Sequence, residues 1–315
     1  MPLDGSMCSR RKRRHTRPGG LSLGFEHGVE PKAGVGTSAG GFASIWQPTR
    51  ELPGYIRAVM QVSFAGVELS EVHEQISRHL DSLPAPIDSF LEDHVRDSKH
   101  YALSAFGSRV GFASIHGGSL ITQFSLEPAY QHFGQAAFQA LRKQESVRAA
   151  LVPTCDEFYL SHAIDDYRQL TKQAYFFRAL PSTHRSAEAE QYSLKPATAA
   201  DEHVIRERSG DLFGEVGERI KRAELFLTYR AGTSVGFGVL APSQFQRDLA
   251  SIGVFTLEQF RCTGVGSATI ALLIEECFRR KLRAVAGCWY YNHASKRTLE
   301  RAGMKTKTRL LRVEY

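Results

Sequence analysis

Arg261-Cys262-Thr263-Gly264-Val265-Gly266 is the segment whose residue types and spacing could most directly do chemistry. It lies between a strand-like run, 251–256, and an amphipathic stretch that begins near Gly264. Glycines let the backbone approach a ligand closely and adopt positive φ. The N–H groups of a helix's first turn point outward, and the helix dipole favours negative charge there. Arg261 adds a positive charge. The chemistry on offer is the cradling of an anion such as a pyrophosphate, with Arg261 beside it. Standing alone, the pattern fits equally well a glycine-rich helix start with no ligand.

The elements that must position this loop are legible on either side. Ile270, Leu273, Ile274 and Cys277 fall at i, i+3, i+4 and i+7, with Glu276, Arg279, Arg280 and Arg283 on the opposite face. That spacing predicts an amphipathic helix on a sheet. The same organisation recurs about 125–130 residues earlier. Arg109-Val110-Gly111-Phe112 matches Ser234-Val235-Gly236-Phe237, each in the second arm of a strand–turn–strand pair. Gln131-His132-Phe133-Gly134-Gln135-Ala136 matches the Arg261–Gly266 loop. It is followed by an apolar stripe of Phe133, Ala136, Ala137, Ala140 and Leu141. Each copy reads as strand, one or two helices, three strands, helix, strand, helix, strand. The second copy carries a longer connection through 243–248, which accounts for the drift in offset.

The chain has 315 residues, enough for two ordinary domains. The boundaries read from composition are a tail over 1–57, a first domain over 58–180, a polar linker over 181–190 and a second domain over 191–315. The tail holds ten of the 27 glycines and five of the 12 prolines and shows no sustained period, which predicts disorder. Met60 is a second candidate start. The net charge of +7 suggests an anionic partner, but residues 1–60 carry +5 of it. Arg10-Arg11-Lys12-Arg13-Arg14 has no interleaved aromatics and reads as a solvated basic tail rather than a nucleic-acid site. No apolar run reaches the length of a membrane helix. Five scattered cysteines and the lack of an apolar segment behind the basic start predict no secretory signal and a cytoplasmic location. No Cys/His spacing suits a metal.

About 26 residues past the loop stands Asn292-His293-Ala294-Ser295, then a helix-like stretch ending at Arg301-Ala302-Gly303-Met304. With Val254-Phe255-Thr256 and the Arg261–Gly266 loop, these residues resemble the GNAT superfamily of acyl-CoA-dependent N-acetyltransferases. The resemblance covers 191–315 throughout and 58–180 more weakly. It implies an α/β fold of two tandem GNAT-like domains. Each would have a central, mostly antiparallel mixed sheet with splayed fourth and fifth strands, flanked by helices. It implies acetyl-CoA as cosubstrate and a small-molecule or peptide amine as acceptor. Backbone groups of Val254, Phe255 and Thr256 would bond the pantetheine arm. Backbone N–H groups of Cys262, Thr263, Gly264, Val265, Gly266 and Ser267 would hold the pyrophosphate, Asn292 would bond the cofactor near the pantetheine or the reacting region, and Ser295 would sit close to it.

The family's direct amine attack needs a base, an oxyanion donor and an acid. Many members carry a tyrosine acid seven residues after the asparagine. Here that position is Leu299. Tyr290 and Tyr291, at the end of the fifth strand, could substitute; the plainer reading is that one packs in the core and the other is exposed. Glu258 and Asp248 are candidate bases, each also readable as a solvated loop carboxylate. Cys262 reads as a small loop residue.

The first copy lacks Asn-x-x-Ser and carries bulky Phe133 in its loop. It reads as a degenerate domain that packs on the second and helps shape its cleft. Asp156 and Glu157 there are readable as a cation-binding pair or as an acidic turn. His132 and His162 read as packing or surface residues. Leu299 and the missing first-copy asparagine also fit a catalytically inactive acyl-CoA-binding or scaffold protein.

Overall fold

The computed structural model describes residues 62–144, 146–180 and 190–315. The tail and almost all of the linker lie outside the described residues. The first half runs β1 (Ser63–Val67), α1 (Leu69–Ser82), α2 (Ser89–Arg96), β2 (Ser98–Ala105), β3 (Ser108–His116) and β4 (Leu120–Leu126). It continues with α3 (Gly134–Gln144), β5 (Ala149–Pro153), α4 (Glu157–Ala163) and β6 (Gln169–Arg178). The second half repeats that order: β7 (Tyr192–Pro196), α5 (Glu202–Ser209), α6 (Val216–Lys221), β8 (Leu225–Arg230), β9 (Thr233–Pro242) and β10 (Leu249–Thr256). Then come α7 (Val265–Arg279), β11 (Arg283–Trp289), α8 (His293–Arg301) and β12 (Lys305–Glu314).

All strands join one sheet in the order β1-β2-β3-β4-β5-β12-β6-β11-β10-β9-β8-β7. The halves exchange their last strands. β6 pairs antiparallel with β11, from Val285↔Arg178 to Trp289↔Ala174. β12 fills the place beside β5, from Leu310↔Pro153 to Glu314↔Ala149. Ala58–Tyr315 therefore forms a single compact unit. Side chains alternate across the exchanged strand. Tyr175 and Phe177 of β6 enter the second half's core, with Ile270, Leu273 and Met304. Ala174 and Phe176 face the other way, into the cluster under α1 and α2.

The predicted stripe of α7 is buried, each of its four residues 2% exposed or less. Arg283 departs from the expected outer face. The helix stops at Arg279, and Arg283 opens β11, where it pairs with Asp248. In α3 the expected stripe is shifted. A tight turn over Pro128–Phe133 precedes the helix, which changes its phase. Ala136 is exposed, while Phe138 is buried with Ala137 and Leu141.

The longer connection through 243–248 clamps the halves together. Phe245 is buried against α1 and α2. Ser243 bonds Glu92, Gln246 Nε2 donates to Asp81 at 2.9 Å, and the His73 ring meets the Gln244 carbonyl at 3.2 Å.

Candidate active site

The fourth and fifth strands of the second half, β10 and β11, pair in parallel only from Leu249↔Arg283 to Ser251↔Val285. Beyond Ser251 they diverge. β10 stays paired to β9 as far as Thr256↔Gly236, so only its β11 edge is freed. Leu257 N–H bonds Val235 O and Ser243 N–H bonds Leu249 O, which fixes the phase of the β9–β10 ladder. Odd-numbered residues of β10 bond to β9. Ile252, Val254 and Thr256 therefore turn N–H and C=O into the wedge. Of the three residues expected to bond a pantetheine arm, Val254 and Thr256 have that orientation and Phe255 does not. Ile252, missed in the sequence, has it.

The N-terminus of α7 lies just past the end of β10. Its cap is Gly264, with φ of 88° and no side-chain cap bond. By contrast, Asp88, Asp156 and Asn292 cap α2, α4 and α8 with their side chains. The first N–H groups of α7, from Val265 to Ser267, are thus left for an outside acceptor. Cys262 also has positive φ, 64°, so the loop makes a tight bend that a glycine-free helix start would not need. A Cβ at Gly264 would meet nothing within 4 Å, so the cradle is open. A Cβ at Gly266 would lie 3.0 Å from Thr298 Cγ2, which shows how closely α7 and α8 approach. Thr263 Oγ1 donates to Phe260 O at 2.7 Å, and the Arg261 guanidinium is exposed beside Thr256 O.

A cavity of about 540 Å³ passes through the wedge. Ile270, Asn292, Ser295 and Leu299 line it on the α7–α8 side, and Leu212, Phe213 and Arg219 on the α5–α6 side. Asp88, Ser89, Phe90 and Asp93 come from the first half. Asn292 Oδ1 accepts from Ser295 N–H at 3.0 Å, which spends that oxygen on capping α8.

Tyr290, Tyr291 and Glu258 are not on the cavity wall. Tyr290 stacks on Tyr175 of β6, ring centroids 4.7 Å apart. A hydrogen bond from Tyr175 and the nearby Lys172 ammonium lower its phenol pKa. Tyr291 is 52% exposed, and Glu258 sits on an exposed turn. Asp248 is held below the usual carboxylate range by its bonds to the Arg283 guanidinium.

One lining carboxylate, Asp88, is not singled out in the sequence; in the structure it caps α2. It is 7% exposed, and Oδ1 accepts from Leu91 N–H at 3.2 Å. Burial pushes its carboxyl up to about 7, against the pull of that bond, and Glu92 and Asp93 add to the rise. The unfolded chain ionises near the ordinary value of 3.8. Between these values the folded chain keeps a proton that the unfolded chain has lost. Stability thus falls as pH rises through this window, by a few kcal/mol on an order-of-magnitude basis, and the cost is complete above it. Asp88→Asn keeps the cap acceptor and removes the cost. Scanning calorimetry should show the variant melting roughly 5 °C or more above wild type near pH 8. Near pH 4 the two should nearly coincide. An equal gap at both pH values would contradict the buried-charge account.

The equivalent region of the first half is filled. Gly134 has helical backbone angles, and a Cβ there would run into the His162 ring. Phe133 is buried in the loop. Asp156 occupies the place of Asn292 and caps α4 through Tyr159 N–H, while its other oxygen meets His79 at 2.8 Å. Its reading as a cation-binding residue fails for that reason: it is 4% exposed and satisfied from within. His132 and His162 pack on Phe133 and Phe158. Among the described residues no cluster of His, Cys, Asp or Glu is placed to hold a metal, and no helix is long and apolar enough to cross a membrane.

A splayed strand edge thus lies beside an uncapped helix start. The chain belongs to the GNAT family of acetyltransferases. Residues 68–180 match the model described as acetyltransferase (GNAT) domain, and 183–304 match the acetyltransferase (GNAT) family. The structure is similar to an acetyltransferase of the GNAT family from Colwellia psychrerythraea, with a TM-score of 0.73 and 18% identity over 80% of this chain and 99% of that one. A tandem GNAT protein from the clavulanic acid biosynthesis pathway aligns with a TM-score of 0.51 and 12% identity over 81% of this chain and 98% of that one. A GCN5-related N-acetyltransferase from Sphaerobacter thermophilus aligns with a TM-score of 0.55 and 14% identity, over 80% and 95%. No curated protein matches the sequence.

Proposed function

We propose that the chain moves an acetyl group from acetyl-CoA to a primary amine by direct attack in a ternary complex, with catalysis in the second half. The observation that carries this is the uncapped start of α7 beside the freed edge of β10, present in the second half and filled in the first. The anionic pyrophosphate suits the N–H groups of Val265 to Ser267, with Arg261 and the bend at Cys262–Gly264 beside it. The pantetheine amides suit the outward groups of Val254 and Thr256. Ile252 and Val254 N–H groups face the wedge where an oxyanion would form. Asn292 and Ser295 line the same space. Phe90, Leu212 and Trp289, all exposed, stand along the cavity and favour an acceptor with an apolar body beside its amine.

The test is acetyl transfer from acetyl-CoA to a panel of small-molecule and peptide amines. Thiol release and the mass of the acetylated product are followed together. Tight acetyl-CoA binding with no transfer to any amine would favour the second reading, an acyl-CoA-binding protein without catalysis. Buried Leu299 at the family's tyrosine position is the observation on that side.

A further inference from the structure

We propose that Asp88, contributed by the half that has lost its own cofactor cradle, is the catalytic base that takes the proton from the acceptor amine in the second half's site. The assignment rests on the acetyltransferase reading above. It follows first from what lines the cavity. Among the described residues the second half supplies no carboxylate and no histidine to that wall; its titratable groups there are Arg219 and Cys288. Arg219 is already paired with Glu224 at 2.9 Å, and burial raises the Cys288 thiol pKa. The carboxylates on the wall are Asp88 and Asp93, both from the first half. Asp93 is half-exposed and tied to Arg96 at 2.8 Å.

Position is the second argument. Ser89 N–H donates to Ser251 Oγ at 2.8 Å, which fastens the start of α2 to β10 at its last paired residue before the wedge opens. Asp88 Oδ2 lies against the Cα of Gly287 on β11, where any side chain would collide with it. Both contacts are on the sheet face away from α7 and α8, because Ala250, Ile252, Ala284 and Ala286 turn the other way into the α7 core. A cosubstrate held at the start of α7 and an amine beside Asp88 would therefore meet through the wedge from opposite faces.

The groups around Asp88 suit the task. Glu92 and Asp93 on α2 both disfavour its charge, Cys288 lies on β11, and Arg219 on α6 lines the same space. Burial holds the carboxyl near neutrality, so it can accept a proton and release it again each turnover. The amine enters as R–NH3+ and gives one proton to the Asp88 carboxylate. Its lone pair forms the C–N bond to the thioester carbonyl carbon. The C–S bond breaks with its electron pair on sulfur, which takes a proton as the nitrogen loses its second. Asp88 then returns its proton to water.

The test compares wild type, Asp88→Asn and Asp88→Ser, since both replacements retain a cap acceptor for α2. Probes are acetyl-CoA with 1,4-diaminobutane, phenethylamine, glucosamine and an alanyl tripeptide. Acetyl-CoA affinity by calorimetry should stay within about twofold, and kcat/KM for the amine should fall roughly a hundredfold to ten-thousandfold near neutral pH. The deficit should shrink as pH approaches the amine's own pKa, where the free amine no longer needs a base. Variants that keep wild-type turnover and pH profile would show Asp88 to be only a helix cap, and a loss equal at every pH would also overturn the assignment. A wild-type chain that transfers acetyl to none of the probes would instead overturn the acetyltransferase reading, and the assignment with it.

Discussion

Replacing Gly264 with glutamate should lower acetyl-CoA affinity at least a hundredfold, about 2.7 kcal/mol, while leaving the chain folded. Two effects combine. The new carboxylate hangs at an opening with nothing within 4 Å of its Cβ, in front of N–H groups that no side chain caps. It repels the pyrophosphate and competes for the same donors, where bonds to a charged acceptor are worth roughly 1.5–3 kcal/mol each. The backbone also pays for a side chain at φ of 88°, about 1–2 kcal/mol. Gly264→Ala separates the two, since it carries the strain without the charge. It should lower the melting temperature by a few degrees and change affinity only a few-fold. Titration calorimetry on the three proteins decides the matter. Equal acetyl-CoA affinity in wild type and Gly264→Glu would remove the cofactor site from this loop.

The second half expressed alone, as residues 190–315, should give no folded monomer. Cutting the chain there removes β6, which supplies the neighbour of β11 and one neighbour of β12. It also removes β5, the other neighbour of β12. Tyr175 and Phe177 leave the core beneath α7, each worth roughly 2–3 kcal/mol of burial. That loss is large against a typical stability of about 5–15 kcal/mol. Unpaired strand edges then invite association. Size-exclusion chromatography and circular dichroism should show aggregate or a strand-exchanged dimer. Co-expression with residues 62–180 should restore a soluble complex. A stable, monomeric 190–315 fragment that binds acetyl-CoA would show that the exchanged strands are dispensable.

These two expectations draw on different kinds of information. The Gly264 loop was legible because its signals are local. A strand, a glycine-rich bend and a 3.6-residue apolar stripe follow one another within 30 residues, and each constrains backbone geometry by itself. The Asn292 turn and the repeated order of elements were legible for the same reason. The expected stripe of α3 missed by a phase shift because the preceding turn ends at Phe133, a boundary that composition does not mark. Asp156 and Asn292 sit in equivalent turns, yet one is buried against His79 and the other lines the cavity. Their neighbours come from distant segments, so spacing could not tell them apart.

By itself, the sequence determined two copies of one element order, a second copy equipped with an open helix start and a first copy without one. Each rests on periodicity and turn chemistry within a short stretch. Tertiary structure alone decided that β6 and β12 trade places, because ladder hydrogen bonds are made by backbone groups common to every strand. It alone placed Asp88 in the wedge of the other half, beside Ser251, which is 163 residues further along the chain than Asp88 and 162 further than Ser89. A buried carboxylate such as Asp88 acquires its proton affinity from surroundings assembled only on folding, and no local pattern in the sequence singles it out.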